Sequence, residues 1–507
     1  MADSSFSLPT ASTMPTTIST SSVSKTSTNA SSAQKSRFSV SEYLWPTSES
    51  DGRSAEAQLI AYHLDFFTHE HAESQKNALD TKKNEIQVRL GPVHIDLPGE
   101  DSSHCETASS SSSFKSAQTS NSNNETENME KNKHRLSYMS LFVNRRQRPG
   151  FINTLYVERR KKPLPDDLLH VPSVAELAHI DADDTHSKKT LVLAHGFGAG
   201  LGFFYRNYHD LASLENSRIY SIDWLGMGRS ARVPFKVAEK DEQKRIKQAE
   251  RFFVDSLNCW RQSLGIERFI LAGHSFGGYL AVAYAEMYPQ HIEALILISP
   301  VGIPRNPNLP DAKEIVLRPE DSSLFKDTRA SELPPPESEL HRQQGGGPPR
   351  KVPSWVAKVW DWSITPQWLV RVSGPFGPGL VGRYVNRRMA HLSEEERQVF
   401  HKYMYHITSA SGSGEYALGV VLAPGAYARL PLRDRIPHLK DGKLPVWFIY
   451  GDRDWMDYRH AEVVREEMGD PDHIQVRRVA EGGHHMYLEN PEGFQQVMLE
   501  AWKSLPC

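Results

Sequence analysis

The chain has 507 residues, and its 59 Lys and Arg against 62 Asp and Glu leave a formal net charge of −3 at pH 7. This near balance excludes a global electrostatic case for nucleic-acid binding. Its three cysteines are widely spaced and odd in number, which argues against a disulfide scaffold or a zinc site and favours a reducing, intracellular compartment.

Three stretches contain too few apolar residues to offset the entropy lost on ordering. We therefore predict a disordered Ser/Thr-rich tail at 1–37 and disordered insertions at 99–135 and 305–352. The rest divides into a core at 38–304 and 437–507 and a cap at 353–436. The tail is poor in acid, as in mitochondrial transit peptides, but also poor in Arg, as in a plain disordered tail. No apolar run predicts a transmembrane helix or a secretory signal.

Apolar runs alternate with helical patterns along the chain. Residues 86–90 and 152–157 alternate like a pair of half-buried strands on either side of the 99–135 insertion. Continuous apolar runs then predict strands buried on both faces of a parallel sheet. These runs are 190–194, 219–223, 269–272, 294–299 and 446–450, and helical patterns are clearest at 244–264 and 279–288. The order predicts an α/β fold, a mostly parallel twisted sheet with helices on both faces and a helical cap inserted after the sixth strand.

The run from Gly273 to Gly277 has the pattern G-x-S-x-G and lies between a predicted strand and a predicted helix. In this context the pattern is typical of a nucleophile elbow, in which a strained turn exposes the serine hydroxyl at the edge of the sheet. The two glycines would let neighbouring backbone approach without a Cβ clash. Ser275 is therefore the predicted nucleophile.

A serine nucleophile needs a base to accept its proton and an acid to orient that base. The base is predicted in the glycine-led segment 482–487, where His484 directly follows the glycine pair. The acid is predicted just beyond the strand at 446–450, where Asp454 lies three residues past Gly451. The chain order Ser, Asp, His is that of the α/β-hydrolase fold. The alternatives left open are His485 for the base and Asp452 and Asp457 for the acid.

Donors for the oxyanion are predicted in the turn that follows the strand ending at Ala194. The backbone amides of Phe197 and Phe276 could both point at the reacting carbonyl oxygen. The preceding His195 and Gly196 are predicted to contact the substrate. The segment 223–230 also follows a strand, and we expect it to form a wall of the pocket. Nothing in these motifs implies a metal or an organic cofactor.

Together these residues resemble one branch of the α/β-hydrolases. The branch includes the lipid-droplet lipase coactivator, the N-acyl-phospholipid lipase, a plant lysophospholipid-remodelling enzyme and the fungal cardiolipin-specific phospholipase. The resemblance covers about 38–70, 84–97, 150–304 and 353–503, with further landmarks at 45–48, 193–202, 374–377 and 411–415. It implies a phospholipid or lysophospholipid acyl ester as substrate, with cardiolipin among the candidates, and a role in phospholipid remodelling and lipid homeostasis.

The activity implied by this resemblance depends on two motifs. Some members are lysophosphatidate acyltransferases with an H-x-x-x-x-D motif, which here runs from His484 to Glu489 and has Glu in place of Asp. The coactivator lacks the elbow serine, whereas this chain keeps Ser275. We therefore expect a carboxylic ester hydrolase of the phospholipase or lysophospholipase type. The alternatives are an acyltransferase or transacylase using the same site, a non-catalytic lipase regulator and a soluble small-ester hydrolase.

A phospholipid substrate implies contact with a membrane or lipid-droplet surface. Tryptophans and basic residues are crowded between 350 and 371, which is typical of an interfacial helix but also of a cap helix packed on the core. They are Trp355, Val356, Val359, Trp360, Trp362, Ile364, Trp368 and Leu369, with Arg350, Lys351, Lys358 and Arg371. A second possible anchor combines 43–45 with apolar residues between 59 and 67. Arg383, Arg387 and Arg388 could bind phosphate or form an exposed charged face. The location is left open between a mitochondrion and the cytoplasm or a lipid droplet.

Overall fold

Ten strands occur in the part of the chain that the computed structural model describes, which is 48–74, 85–97, 148–160, 162–181, 188–306, 360, 364–469 and 473–505. Eight form one sheet in the order β1-β2-β4-β3-β5-β6-β9-β10, and β7 and β8 form a short hairpin. The strands are β1 (Glu85–Leu97), β2 (Arg148–Arg160), β3 (Lys189–Ala194), β4 (Ser217–Ile222), β5 (Phe269–His274), β6 (Ile292–Ile298), β7 (Leu422–Ala423), β8 (Tyr427–Ala428), β9 (Val446–Gly451) and β10 (Ile474–Val479).

The sheet is mostly parallel, as predicted. Strand β1 runs antiparallel to β2 and β2 antiparallel to β4, while the remaining neighbours in the large sheet are parallel. The predicted pairing of the strands that flank the 99–135 insertion is confirmed by the register of β1 with β2. Strand β10, with Arg477 and Arg478 near its end, was not predicted because it lacks a continuous apolar run.

Strand β3 shows how the sheet separates two hydrophobic layers. Successive side chains of a strand point to opposite faces. Accordingly Val192 and Ala194 lie in one core cluster and Leu191 and Leu193 in the other, and all four are fully buried. A strand buried on both faces needs apolar residues at every position, which explains the continuous run in the sequence.

Helices cover both faces of the sheet. In chain order they are α1 (Glu49–Ser74), α2 (Val174–Ile180), α3 (Tyr208–Leu211), α4 (Glu242–Ser263), α5 (Phe276–Met287), α6 (Pro366–Val372), α7 (Gly377–Arg388), α8 (Glu394–Ser409), α9 (Ala417–Val421), α10 (Arg459–Met468), α11 (Met486–Glu489) and α12 (Pro491–Ser504). Helix α4 begins at the Asp241 cap, which accepts a hydrogen bond from the Lys244 amide. Phe253 and Leu257 of α4 pack on one face of the sheet, and Phe494 and Met498 of α12 pack on the other.

The chain between β6 and β9 carries helices α6 to α9 and the β7–β8 hairpin. The predicted insertion of a helical cap after the sixth strand is therefore confirmed. Helices α6, α7 and α8 pack against one another, and α8 also packs against α1. Trp360 is half-buried and its indole N–H donates to the Leu422 carbonyl at 2.8 Å, so this tryptophan packs within the protein.

Several predictions fall outside the described residues. They concern the tail at 1–37, the insertion at 99–135, the insertion at 305–352 beyond residue 306, the segment 43–47, and Trp355, Val356, Val359 and Trp362. The second possible anchor needs a correction, because Leu59 and Ile60 are buried in the core and cannot reach a membrane. Within the described ranges, no helix combines the length and apolarity needed to span a bilayer.

Candidate active site

Ser275 lies at the sharp turn between β5 and α5. Its backbone has φ 52° and ψ −113°, a conformation that residues with a side chain rarely adopt. Two hydrogen bonds hold the turn: the Ser275 amide donates to the Ile298 carbonyl at 2.8 Å, and the Val301 amide donates to the Ser275 carbonyl at 3.2 Å. Strain at one residue persists when its surroundings fix it in this way, and such strain is common at functional sites.

The glycines of the elbow are required by close backbone contacts. A Cβ on Gly277 would lie 2.5 Å from the His195 carbonyl oxygen, and a Cβ on Gly273 would overlap the Gly277 carbonyl. A Cβ on Gly278 would lie 2.9 Å from the Cβ of Pro300. The pattern G-x-S-x-G-G is therefore a packing requirement of this turn, as the sequence predicted.

The structure brings Ser275, His484 and Asp454 together from three distant parts of the chain. The His484 Nε2 lies 3.1 Å from the Ser275 Oγ, and the His484 Nδ1 lies 3.1 Å from the Asp454 Oδ1. A carboxylate accepts only, so Nδ1 carries the proton and Nε2 is left to accept from the serine hydroxyl. The exposed Trp455 ring lies beside His484, with the two ring centres 5.2 Å apart.

The alternative acids have other partners. Asp452 pairs with Arg478 at 2.7 Å, and Asp457 pairs with Arg459 at 2.6 Å. Burial alone would raise the pKa of Asp457, but the hydrogen bond and charge of Arg459 lower it. Both carboxylates are thus neutralised by arginine, whereas Asp454 faces the imidazole.

The alternative base, His485, packs among other rings, whereas His484 contacts the serine. The His485 ring packs on Phe203 and His274, with ring centres 5.7 Å and 5.2 Å away. Burial, followed by the nearby His484 and Arg388, lowers the pKa of His485 well below its ordinary value. A buried neutral histidine in an aromatic cluster suits a packing role.

Ser299 is a functional residue that the sequence did not identify. It is fully buried at the end of β6, has φ 43°, and donates from its hydroxyl to the Asp454 Oδ2. The Met456 amide donates to the Asp454 Oδ1 at 3.0 Å. Together these donors fix the carboxylate and stabilise its charge. The signal in the sequence was a polar residue ending an apolar strand next to the strand that carries the acid.

Two further contacts hold the loop that carries His484. The His274 Nε2 donates to the His484 carbonyl at 2.8 Å, and the Tyr487 hydroxyl donates to the His274 Nδ1 at 3.3 Å. The Gly483 amide donates to the Glu489 carboxylate. Glu489, the departure from the acyltransferase motif, therefore contacts the backbone just before His484.

The predicted oxyanion turn lies against the elbow. A Cβ on Gly196 would lie 3.0 Å from the Ser275 Cβ, so the turn that contains Phe197 is next to the nucleophile. Phe276 is the first residue of α5, where backbone amides point out of the helix. No backbone acceptor among the described residues takes the amide proton of Phe197 or Phe276. Both amides are therefore available to a ligand.

The side chain of His195 is turned inward. It is fully buried, its Nδ1 donates to the Gly196 carbonyl at 2.7 Å, and its Nε2 accepts from the Trp224 amide at 3.1 Å. Burial lowers the pKa of His195, so the ring is neutral. The imidazole shapes the turn, and substrate contact by His195 or Gly196 stays a prediction that only their backbone could fulfil.

A buried polar network supports the same turn from behind. The Asp223 carboxylate accepts from the Leu201 amide at 2.6 Å, the Arg229 amide at 2.7 Å and the Asn153 side chain at 2.9 Å. The Asn153 amide group also donates to Glu56 of α1 at 3.0 Å. The segment 223–230, predicted to form a pocket wall, thus anchors the oxyanion turn to the amino-terminal helix.

The cap lies over this turn. The Gly202 amide donates to the hydroxyl of Tyr403 in α8 at 3.1 Å, and Arg206 pairs with Glu396 of α8 at 2.7 Å. A Cβ on Gly198 would lie 3.0 Å from the side-chain nitrogen of Gln367 in α6. Within the described ranges, no group of three or more His, Cys, Asp or Glu side chains could hold a metal ion.

Comparisons with known proteins agree with the fold. Residues 189–341 match the family model of the alpha/beta hydrolase fold. A probable 1-acylglycerol-3-phosphate O-acyltransferase of Oryza sativa subsp. japonica is 36% identical over 325 residues, which cover 63% of this chain and 68% of the relative. The (lyso)-N-acylphosphatidylethanolamine lipase of Mus musculus is 32% identical over 62% of this chain and 79% of its own length. The 1-acylglycerol-3-phosphate O-acyltransferase ABHD5 of Homo sapiens is 30% identical over 62% and 77%.

Proposed function

The chain belongs to the α/β-hydrolase family, in the branch of these phospholipid-related enzymes, and we propose that it is a serine hydrolase that cleaves acyl esters of phospholipids or lysophospholipids. The observation that carries the proposal is the contact of His484 with both Ser275 and Asp454, at 3.1 Å each. Hydrogen-bond reach between nucleophile, base and acid is the arrangement that acyl transfer through serine needs.

In the proposed first step, the His484 Nε2 accepts the hydroxyl proton as the Ser275 Oγ attacks the ester carbonyl. The imidazolium is stabilised by Asp454, whose own charge is held by Ser299. The carbonyl oxygen becomes an oxyanion that accepts from the amides of Phe197 and Phe276. Removal of one such donor typically costs about 3 kcal/mol of transition-state stabilisation. Collapse breaks the ester bond, and the leaving alcohol takes the proton from His484.

In the second step, water releases the fatty acid from the acyl-serine, with His484 again acting as base. If the alcohol of a lysophospholipid attacked instead, the product would be a new ester. This second candidate function, transacylation to lysophosphatidate, is favoured by the names of the rice and human relatives, whereas the mouse relative is named a lipase. The replacement of the motif aspartate by Glu489 departs from the acyltransferase pattern and therefore supports hydrolysis.

Labelling of the purified full chain with a fluorophosphonate tests the serine chemistry. We expect labelling of the wild type and none of Ser275→Ala. Asp457→Asn serves as a matched control that should label like the wild type, because its carboxylate pairs with Arg459. Absence of Ser275-dependent labelling would contradict the hydrolase and favour a non-catalytic lipase regulator.

The substrate is tested with liposomes of defined composition. Release of fatty acid from phosphatidylcholine, lysophosphatidylcholine, N-acylphosphatidylethanolamine and cardiolipin would rank the head groups. Added lysophosphatidate with labelled acyl donor separates transfer from hydrolysis. Activity on soluble esters without any increase on liposomes would favour the small-ester hydrolase. Cardiolipin as substrate and a mitochondrial location stay predictions, as does the alternative location on a lipid droplet.

A further inference from the structure

We infer that the outer side of α6 and α7 docks the enzyme on an anionic lipid surface. We call this the α6–α7 face and define it by Trp368, Leu369, Val372 and Phe376 together with Arg383, Arg387 and Arg388. The inference rests on the proposed action on lipids, since it names the surface through which that site would meet its substrate.

The apolar part of the face consists of four exposed side chains. Trp368 is 38% exposed, Leu369 48%, Val372 57% and Phe376 77%. At 3.6 residues per turn, the first three lie on one side of α6, and the buried Gln367 and Val370 lie on the other. Contiguous exposed apolar groups of this kind mark interaction sites, and tryptophan favours the boundary between lipid head groups and acyl chains.

The charge of the face has one sign. Residues 364–393 contain no Asp or Glu, although they contain four arginines. Arg383, Arg387 and Arg388 are exposed on α7, and Arg371 is held internally by Glu415. A basic surface on a segment that contributes no acidic side chain is complementary to anionic head groups. It opposes pairing with a second copy of the same face, because arginine would then meet arginine.

The inner side of the same helices is fixed to the candidate active site. The Thr365 hydroxyl donates to Glu415 at 3.0 Å, and Gln367 lies against Gly198 of the oxyanion turn. Burial raises the pKa of Glu489, and the charge of Arg388 acts in the opposite direction, so Arg388 lies near the loop of His484. The helices that carry the face therefore also contact the oxyanion turn beside Ser275.

Co-sedimentation of the full chain with vesicles tests the inference. The vesicles are phosphatidylcholine alone and phosphatidylcholine with phosphatidic acid, each at low and high salt. The variants are Leu369→Asp in the apolar part and Arg387→Gln in the basic part. Leu169→Asp and Arg268→Gln are matched controls, because both residues are exposed elsewhere on the protein. Fluorophosphonate labelling of every variant reports the site independently of the membrane.

We expect the wild type to bind the anionic vesicles, with Arg387→Gln weakening binding about fivefold and Leu369→Asp by more than about tenfold. Both controls should bind like the wild type, and all five proteins should label equally. Equal binding of face and control variants would overturn the inference, as would a dimer by light scattering that Leu369→Asp converts to monomer. Loss of labelling in the wild type would instead contradict the proposed function and leave the binding result unaffected.

Discussion

Replacing Glu56 with Gln is expected to flatten the pH dependence of stability above neutral pH. Glu56 lies on α1 and is buried beside Asp223. Burial and the Asp223 charge raise the pKa of Glu56 from 4.5 to about 8, although Arg229 and Asn153 act in the opposite direction. The folded protein therefore keeps a proton that the unfolded chain releases as the pH rises above about 4.5.

The sign and size of the pH effect on stability follow from this difference in the pKa of Glu56 between the folded and unfolded states. The stabilisation from the bound proton is complete below pH 4.5 and is lost as the pH rises through about 8. Each pH unit in that window changes the free energy of unfolding by about 1.4 kcal/mol. An isolated group with these values would lose roughly 3 kcal/mol between pH 6 and pH 9. Because Glu56 also interacts with the charges of Asp223 and Arg229, we expect about 1–3 kcal/mol for the protein.

The assay is urea unfolding at pH 6, 7.5 and 9. Glu56→Gln should become more stable relative to the wild type by that amount as the pH rises, because Gln stays neutral. Glu49→Gln is the control, since Glu49 is on the same helix and exposed, and the hydrogen bond from Arg53 lowers its pKa. Protonation of Glu49 therefore affects the free energy of unfolding only at acidic pH. Parallel pH profiles of Glu56→Gln and the wild type would refute the reasoning.

Three further predictions concern the site and its support. Asp454→Asn should lower kcat for a soluble ester by roughly 10³–10⁴, whereas Asp457→Asn should leave it within about twofold, and equal losses would contradict the assignment of the acid. Ser299→Ala should lower kcat about tenfold, because a hydrogen bond to a carboxylate contributes about 1.5–3 kcal/mol, and an unchanged kcat would contradict its positioning role. In thermal unfolding, Gly277→Ala should destabilise by about 3 kcal/mol or more, while Gly379→Ala, whose Cβ meets nothing within 4 Å, should stabilise by about 0.5–1 kcal/mol.

Local patterns were sufficient for the central sheet and for the elbow. Residues 191–194 are apolar at each position because both faces of β3 are buried, so this pattern can be interpreted without reference to distant residues. The elbow is similar at Gly273, which is required by the carbonyl of Gly277 in the same turn, whereas Gly277 is required by the carbonyl of the distant His195. The positions of His484 and Asp454 followed from chain order and from the strands before them, and their contacts agree with that order.

The supporting residues were not predictable because their roles depend on contacts across the sequence. Asn153 donates to Glu56, 97 residues earlier, and to Asp223, 70 residues later. Ser299 meets Asp454 across 155 residues. A lone Ser, Asn or Glu has no periodicity that marks it as buried and paired. The inward side chain of His195 was missed for the same reason, since its partner Trp224 comes from the neighbouring strand's end.

These distant contacts converge on one short turn. Three residues that follow Phe197 are held by distant side chains. The Leu201 amide donates to Asp223, and the Gly202 amide donates to the Tyr403 hydroxyl. The Arg206 side chain donates to Glu396. Asp223 is connected to Glu56 of α1 through Asn153, which donates to both carboxylates. Tyr403 and Glu396 lie in α8 of the cap. An oxyanion donor is useful only when it is fixed before charge develops, because reorganising it during the reaction would cost the energy it supplies. The amino-terminal helix and the cap therefore support the proposed active site, since both hold the residues that follow Phe197.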